Sequence, residues 1–452
     1  MNELAAGMVK RTPERADVGF MADELRPLSG DAFKGRKIVI VGINYAPETT
    51  GIAPYTTRLC EFIADEGADV TAIVGLPHYP SWTVDPAYRR RVRSVETINR
   101  VRVVRVPHFV PGRQTAARRG LYEGSFYLGS RLAARGLDPD AVIGVSPTLS
   151  GLRTANALSL RTGAPFGAVI QDLMGLSAEQ SGMQGGRRVA GMVARSEMAA
   201  LSRASRVGVI SGSFGDVLVG AGLSPDLITV MPNFTHVVAS SATRNEARRE
   251  LGWPLHEHVV LHTGNMGLKQ DLANVVEAAR LAQNDPESAR MVFVLMGDGS
   301  QRRELEKKAR SVQSIRIVDP LPDDLYPLAL ASADVLLLNE RPSVRDMSLP
   351  SKLTSYFSTG SAVLACVGAD GSCAREVGRT EGGAVRIDAE NPRLLADSIL
   401  ELAADPERRA RMGAAARAYA DRHLGRGSAR ASVRSFVSAM LDPAPQRMAK
   451  AP

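Results

Sequence analysis

Two lysines lie where the sequence predicts the first turn of a helix. Lys269 follows two glycines in HTGNMGLKQDL, residues 262–272, and Lys352 follows a serine and a proline in DMSLPSKLTSYFSTG, residues 346–360. Serine caps helices and proline fits their first turn. The partial positive charge of a helix N-terminus disfavours a cation unless a shared anion binds there. A single lysine could instead extend into water, but the two together favour a bound diphosphate.

Glycines and polar residues follow other predicted strands. Gly297 and Gly299 flank Asp298 before a predicted helix, and Gly51 opens a helix within NYAPETTGIAPYT, residues 44–56. Backbone amides of such loops can bind phosphate, although a lone glycine such as Gly51 is more often a simple turn. The pattern GxGxxG does not follow the first strand, which argues against a nicotinamide or flavin enzyme.

Composition narrows the class of protein. A chain of 452 residues, 44% hydrophobic, is long enough for two globular domains. Three scattered cysteines, Cys60, Cys366 and Cys373, fit neither a disulfide framework nor a zinc site and are expected to be buried thiols. The sequence contains neither a long apolar run nor a signal peptide, so we expect a cytosolic protein. The formal net charge of +8 favours anionic partners.

Strand and helix patterns alternate in two separate series. Each series starts with a near-continuous apolar run, KIVIVGINY at residue 37 and HVVLHTGN at residue 258, which is typical of a strand buried on both faces. We therefore expect an α/β protein with two Rossmann-like, doubly wound parallel sheets that face a central cleft. The expected segments are a disordered tail (1–35), an N-terminal domain (36–232), a C-terminal domain (238–404), helices that pack across both domains (405–440) and a second disordered tail (441–452).

Seven motifs in order resemble the retaining family 4 of the GT-B glycosyltransferases, and within it the bacterial colanic acid type. They cover residues 37 to about 435 and read GINYAPETTGIAPYT, LPHYPSW, GVSPTLSG, VIQDL, MPNFTHV, GNMGLKQDLANVVEAA and LPSKLTSYFSTG. The resemblance implies the GT-B fold and a nucleotide-sugar donor held mainly by the C-terminal domain. It also implies an acceptor in the N-terminal domain, a growing and lipid-linked oligosaccharide of exopolysaccharide or cell-envelope glycan synthesis.

Site residues follow from this resemblance, position by position. Lys269, Lys352 and Asp172 would be catalytic, because retaining transfer needs a stabilised leaving diphosphate and a positioned acceptor hydroxyl. The residues expected to bind the donor nucleotide are Gly51, Gly264, Asn265, Lys269, Gly297, Asp298, Leu321, Leu349, Pro350, Ser351, Lys352 and Ser355. Those expected to bind the acceptor are Glu48, His78, His108, Gln171 and Asp172.

The sequence also departs from the family pattern. Two glutamates that many family 4 enzymes carry correspond here to Met347 and Ser355, and an arginine that often precedes the phosphate lysine corresponds to Asn265. The sugar and ribose contacts therefore have few candidates, with Asp346 and Ser355 the local ones. We expect neither a cofactor nor a metal, since the lysine pair can replace a cation.

Other functions stay open at the level of sequence. A non-catalytic glycan- or partner-binding protein would explain the missing glutamates, whereas a nucleotide-sugar epimerase would need acid and base groups that the sequence does not show. Arginine runs at 87–94 and 111–120 could contact anionic lipid at the inner face of the plasma membrane, or form a solvated face. Nucleic-acid binding is disfavoured, because these runs lack interleaved aromatic residues.

Overall fold

The chain folds into two α/β units, each with its own sheet. The computed structural model describes residues 30–89, 94–112, 115–173, 186–235, 237, 239–283, 290–344 and 351–442. The N-terminal unit comprises described residues up to Asn233 together with those from Gly427 onward, and the C-terminal unit runs from Phe234 to Arg426.

The N-terminal unit contains an eight-stranded sheet in the order β3-β4-β2-β1-β5-β6-β7-β8. Its pairs are parallel, except that β3 and β4 are antiparallel. The edge strand β3 was not predicted, because its exposure alternates along the strand instead of forming a continuous apolar run. The strands are β1 Lys37–Val41, β2 Asp69–Gly75, β3 Ser94–Ile98, β4 Val101–Val106, β5 Ala141–Val145, β6 Phe166–Ile170, β7 Arg206–Val209 and β8 Ile228–Val230.

Helices connect these strands. They are α1 Ala53–Asp65, α2 Ala116–Ala133, α3 Leu149–Thr162, α4 Gly186–Leu201 and α5 Gly212–Gly220. Local signals explain their ends: the side chains of Thr115 and Ser211 cap α2 and α5, and Gly163 ends α3 in the left-handed conformation that glycine adopts without strain.

The C-terminal unit contains a six-stranded sheet, all parallel, in the order β11-β10-β9-β12-β13-β14. The strands are β9 His258–Thr263, β10 Met291–Met296, β11 Ile315–Val318, β12 Val335–Asn339, β13 Ala362–Cys366 and β14 Ala384–Ile387. The helices are α6 Arg244–Leu251, α7 Leu272–Ala282, α8 Arg302–Ala309, α9 Tyr326–Ser332, α10 Ser351–Phe357, α11 Ser372–Arg379, α12 Pro392–Ala404 and α13 Pro406–Tyr419. Two doubly wound sheets confirm the predicted fold class.

The last helix, α14 Arg426–Leu441, returns to the N-terminal unit. A side chain added at Gly167 of β6 would collide with Met440 and Phe436 of α14, so helix and sheet are in close contact there. On the opposite face of the sheet, a Cβ added at Gly144 of β5 would lie 3.0 Å from Cα of Leu152 in α3. The sheet is therefore covered by helices on both faces, which accounts for its near-continuous apolar strands.

The prediction of a disordered N-terminal tail is wrong for residues 30–35. Phe33 is buried, and its backbone N–H donates to the carbonyl of Glu66 over 2.8 Å. Glu66 also accepts from Arg430 of α14 over 2.9 Å. The sequence around Phe33 is polar and gave no sign of an ordered segment. The buried Phe33 side chain nevertheless holds residues 30–36 against the end of α1. The remainder of that tail, residues 1–29, and residues 443–452 of the second expected tail lie outside the described residues.

Candidate functional site

The candidate donor site lies at the carboxyl edge of the C-terminal sheet. Strands β10, β9 and β12 are neighbours and parallel, so the loops that follow them meet at one edge. Lys269 lies in the loop after β9, Asp298 in the loop after β10, and Glu340 directly after β12. Sequence order alone did not show that these three loops are adjacent.

Glycines allow two of these loops to touch through their backbones. The Gly264 N–H donates to the Met296 carbonyl over 2.7 Å, and the Met266 N–H donates to the Asp298 carbonyl over 2.8 Å. A Cβ placed on Gly297 would lie 1.8 Å from the Gly264 carbonyl oxygen, and Gly297 has a φ of +156°. Any side chain there would separate the loops. Gly264 itself has a φ of +99°.

Lys352 is held by a buried histidine that the sequence reasoning missed. Its Nζ lies 3.1 Å from Nε2 of His262, and Nδ1 of His262 lies 3.1 Å from the carbonyl oxygen of Leu337. The carbonyl can only accept, so Nδ1 carries the proton and Nε2 accepts from the lysine. The Lys352 stem passes Gly264, where an added Cβ would lie 3.0 Å from Cε. Lys352 thus turns inward and does not extend into water.

Lys352 has an unusually low pKa for a lysine. Burial lowers its pKa from the ordinary 10.5 to about 8, although the charges of Glu340 and Cys373 favour its protonated form. Burial, followed by the charge of Lys352, holds the pKa of His262 well below its ordinary value. The imidazole is consequently neutral at neutral pH, as an acceptor for an ammonium group must be.

Glu340 links the two lysines electrostatically. This buried carboxylate accepts from the Cys373 thiol over 3.2 Å. Burial raises its pKa, while the hydrogen bond from Cys373 and the positive charges of Lys352 and Lys269 act in the opposite direction. The charges of both predicted phosphate lysines therefore act on one buried carboxylate.

The loop that carries Lys269 is fixed from β12. The Arg341 N–H donates to the Lys269 carbonyl over 2.9 Å, and Nδ2 of Asn339 donates to the carbonyls of Gln270 and Asp271 over 2.8 and 3.0 Å. The Lys269 side chain itself is exposed. A fixed backbone with an exposed ammonium is a suitable arrangement for binding an anion that arrives from solvent.

The other predicted donor residues differ in their exposure and in their contacts. Asn265 is exposed and bonds Gln270 within its own loop, Leu321 packs partly buried against the core, and Ser355 is buried in α10. A hydroxyl cluster lies beneath them, in which Thr263 bonds the side chains of Tyr326 and Tyr356. The described residues do not include Leu349, Pro350, Asp346, Met347 or the side chain of Ser351.

The predicted acceptor residues also share one sheet edge. They follow β1, β2, β4 and β6, which lie side by side with β5 in the N-terminal sheet. Oε1 of Glu48 accepts from the backbone N–H groups of His78 and Tyr79 over 2.8 and 2.9 Å. Oε2 of Glu48 accepts from Asn44 over 2.9 Å. Glu48 thereby ties two of these loops together.

His78 and His108, which seemed isolated in the sequence, form one cluster with Tyr122. Their ring centroids are 4.8 Å apart, and Nε2 of His78 lies 3.1 Å from the Tyr122 hydroxyl. Burial, with a smaller effect of His78, lowers the pKa of His108 to about 3. Both histidines are therefore built into the base of this edge, and His108 is neutral at neutral pH.

Gln171 and Asp172 lie at the end of β6, which β1 and β5 separate from the strand that precedes His78. Their backbone N–H groups donate to Oγ of Ser146 over 2.9 and 3.3 Å, which fixes the loop against the end of β5. Gly51 lies in the loop after β1 with a φ of +67°, next to the Tyr79 ring. Gly51 thus belongs to the N-terminal unit, whereas the other predicted donor residues belong to the C-terminal unit.

Two general features concern metals and membranes. Within the described ranges, we find no group of three or more His, Cys, Asp or Glu side chains arranged to hold a metal ion. In the same part of the chain, none of the helices combines the length and the apolar character needed to cross a bilayer.

Comparison with known proteins identifies the class of protein. A family model described as a glycosyl transferase 4-like domain matches residues 50–233, and one described as glycosyl transferases group 1 matches residues 257–405. WcaI of Escherichia coli K12, whose name describes it as a colanic acid biosynthesis glycosyl transferase, is 29% identical to this chain over 420 residues. The aligned region covers 89% of this chain and 99% of WcaI.

Solved structures agree in fold. A sucrose-phosphate synthase from Thermosynechococcus elongatus matches 90% of this chain and 100% of its own, with a TM-score of 0.70 and 16% identity. HepE from Anabaena, in complex with UDP, matches 89% of this chain and 100% of its own, with a TM-score of 0.64 and 16% identity. Together the fold, the site and the family models define a glycosyltransferase of the GT-B class. The chain belongs to glycosyltransferase family 4.

Proposed function

We propose that this enzyme is a retaining glycosyltransferase of exopolysaccharide or cell-envelope glycan synthesis. It transfers a sugar from a nucleoside-diphosphate sugar to a growing, lipid-linked oligosaccharide. The name of WcaI and its similarity along almost the whole chain support the pathway class. The observation that carries the donor class is that the charges of Lys352 and Lys269 both lower the pKa of the buried Glu340 at the edge of the C-terminal sheet.

The lysines stabilise the departing nucleoside diphosphate. Negative charge grows on the diphosphate as the sugar–phosphate bond breaks, so positive charge fixed beforehand lowers the barrier. Lys352 is fixed by His262, and Lys269 is presented by a loop anchored to Asn339 and Arg341. Two ammonium groups supply the charge that a divalent cation supplies elsewhere, so we propose transfer without a metal.

The N-terminal unit positions the acceptor. Asp172, held by Ser146, is proposed to orient the acceptor hydroxyl, and Glu48 to keep the loops after β1 and β2 in register around it. Orientation of the reacting hydroxyl on the face that the diphosphate leaves is the main demand of retaining transfer.

Nucleotide binding tests the donor site directly. Thermal unfolding of the wild type is measured with UDP, GDP and ADP in the absence of metal, beside Lys352→Met and a control, Lys307→Met, which changes an exposed lysine of α8. One nucleotide should raise the unfolding temperature of the wild type and of the control, and have little effect on Lys352→Met. Equal stabilisation of all three proteins would refute the role of Lys352 in the donor site.

Product analysis tests the stereochemistry. With a sugar donor identified by the nucleotide screen, the anomeric configuration of the product is read from its proton NMR coupling. Retention of the donor configuration is expected. Inversion would exclude the retaining mechanism while leaving the donor site intact.

A further inference from the structure

We propose that Tyr326 is a specificity-determining residue, whose hydroxyl donates to a carbonyl oxygen on the base of the donor nucleotide. Uracil and guanine carry such an oxygen and are therefore favoured over adenine. The inference rests on the proposed function, since it concerns the same donor, but it depends on side chains other than the two lysines.

Three hydroxyl groups form a chain at the end of β9. Oγ1 of Thr263 lies 3.2 Å from Oη of Tyr356 and 3.0 Å from Oη of Tyr326. The Thr263 backbone N–H also donates to Oη of Tyr356 over 3.0 Å. Thr263 and Tyr356 are buried, whereas Tyr326 is half-buried, so only the Tyr326 end of the chain can meet a ligand.

Burial fixes the direction in which these hydroxyls donate. Oη of Tyr356 already accepts from the Thr263 N–H, and within the described ranges Oγ1 of Thr263 is the one acceptor for the Tyr356 proton. A buried hydroxyl that finds no acceptor is costly. Tyr356 therefore donates to Thr263, and Thr263 donates to Tyr326. The Tyr326 proton is left without an acceptor in the part of the chain that the structure describes, and burial raises the pKa of Tyr326, so this proton is kept at neutral pH.

This hydroxyl chain adjoins the lysine of the donor site. Tyr356 follows Lys352 by four residues in α10, which puts both side chains on one face of the helix. Lys352 reaches His262 and Tyr356 reaches Thr263, so consecutive residues of β9 receive the two side chains. A nucleotide bound at Lys352 by its diphosphate would therefore have its nucleoside at this end of the sheet.

The charges around Tyr326 favour an uncharged ligand group. Tyr326 begins α9, directly after the loop 319–325, and residues 317–340 contain neither lysine nor arginine. Asp323 and Asp324 of this loop are exposed. Their negative charges would repel a phosphate, whereas the lysines attract one. The Tyr326 hydroxyl is accordingly assigned to the nucleoside.

The apolar neighbours of Tyr326 favour the base over the ribose. Val318, Leu321 and Leu328 lie half-buried against the same apolar core as Tyr326. A flat base fits apolar walls with a single hydroxyl donor, because few of its edge atoms then need partners. A ribose would bring hydroxyl groups that each require a polar partner in these surroundings.

The fixed direction of donation selects among bases. Uracil and guanine present carbonyl oxygens, which accept, whereas adenine carries an amino group, a donor, where guanine has its oxygen. Two donors that face each other both stay unpaired, which lowers affinity. Tyr326 cannot turn its proton inward to accept from the amino group, because Thr263 would then donate to Tyr356 and the buried Tyr356 proton would lose its acceptor.

Calorimetric titration tests the contact with UDP, GDP, ADP and inorganic pyrophosphate, which is a diphosphate without a nucleoside. The wild type should bind UDP or GDP more tightly than ADP. Tyr326→Phe should lower the affinity for the preferred nucleotide about tenfold, since it loses one hydrogen bond to the base, and should bind pyrophosphate as the wild type does. A matched control, Tyr127→Phe, removes the hydroxyl of a half-buried tyrosine in α2 and should change neither affinity.

Variants of Thr263 test the hydroxyl chain itself. Thr263→Val removes the hydroxyl with little change of shape and releases the Tyr326 proton from its fixed direction, so the preference over ADP should shrink. Thr263→Ser keeps a hydroxyl and should retain the preference. Thermal unfolding checks that each variant folds, and the ratio of the affinities reports the chain because a general loss of stability would not alter it.

Three results would overturn the proposal. They are a wild type that prefers ADP, unchanged nucleotide affinities of Tyr326→Phe, and losses of equal size for UDP, GDP and ADP, which would assign the hydroxyl to the ribose. A loss for pyrophosphate of the same size would likewise contradict it, by assigning the hydroxyl to the phosphates. Failure of the donor site has a different signature, because the wild type would then bind neither pyrophosphate nor any of the nucleotides.

Discussion

The ammonium group of Lys352 donates to Nε2 of His262 across 3.1 Å, while Nδ1 of the same ring donates to the carbonyl of Leu337. The histidine therefore acts as a fixed acceptor that aims the lysine at the carboxyl edge of the sheet. Such positioning reduces the reorganisation needed when a diphosphate arrives.

We predict that His262→Leu lowers kcat/KM by about tenfold or more, because the lysine loses the acceptor that orients it. Stability should fall by about 1–3 kcal/mol, since the Leu337 carbonyl also loses its donor. His262→Gln should restore much of the activity, because an amide can accept from Lys352 and donate to the carbonyl. Steady-state kinetics and chemical denaturation measure both effects. Equal losses of activity in both variants would contradict a positioning role.

The pH dependence of nucleotide binding should follow Lys352. Its pKa is lowered to about 8, so the ammonium is charged below that value and neutral above it. Affinity for the nucleoside diphosphate should therefore fall as the pH rises through about 8, or somewhat higher once the bound anion favours the charged form. Calorimetric titrations of the wild type and of Lys352→Met test this, and a decline of the same size in the variant would assign it to another group.

The same residue affects stability in the opposite sense. Because the folded pKa lies below the ordinary 10.5, the unfolded chain binds the proton more tightly, and the contribution of Lys352 to stability rises with pH between about 8 and 10.5. Without nucleotide, Lys352→Met should remove this rise.

Gly297→Ala should destabilise the protein by about 3 kcal/mol or more, because the new methyl group would strike the Gly264 carbonyl and Gly297 occupies a positive φ. The matched control is Gly378→Ala in α11, where an added Cβ meets open space. That control should be neutral or slightly stabilising. Thermal unfolding distinguishes the two, and a tolerated Gly297→Ala would show that the two loops do not meet as described.

Glu48→Gln should lower stability by about 1–2 kcal/mol, since its amide nitrogen would replace a carboxylate oxygen that accepts from Asn44. If Glu48 keeps the acceptor loops in register, KM for the acceptor should rise while nucleotide affinity stays constant. Glu407→Gln, at an exposed carboxylate of α13, is the control. A variant with unchanged stability and KM would exclude this role.

Sequence reasoning identified the fold and the ends of the strands well, because buried parallel strands have continuous apolar patterns. It singled out Lys269 and Lys352 because cations at helix N-termini are unfavourable without a ligand. Lys352 does lie in the first turn of α10, whereas Lys269 lies in a 3₁₀ turn, Leu268–Gln270, that precedes α7. It missed His262, whose importance depends on which face of β9 it occupies. A polar residue within the otherwise apolar run HVVLHT was the available signal. It also missed Glu340, because only the sheet order places β12 beside β9.

The return of α14 to the N-terminal unit has a consequence for biosynthesis. A ribosome finishes the whole C-terminal unit before it makes residues 427–441, yet these residues cover Gly167 and Gly208 on one face of the first sheet. The N-terminal unit therefore emerges with apolar surface uncovered and is completed last. The N-terminal unit can therefore finish folding only after the C-terminal unit has been synthesised. A nascent chain that stops before residue 427 contains the whole C-terminal unit but leaves one face of the first sheet uncovered.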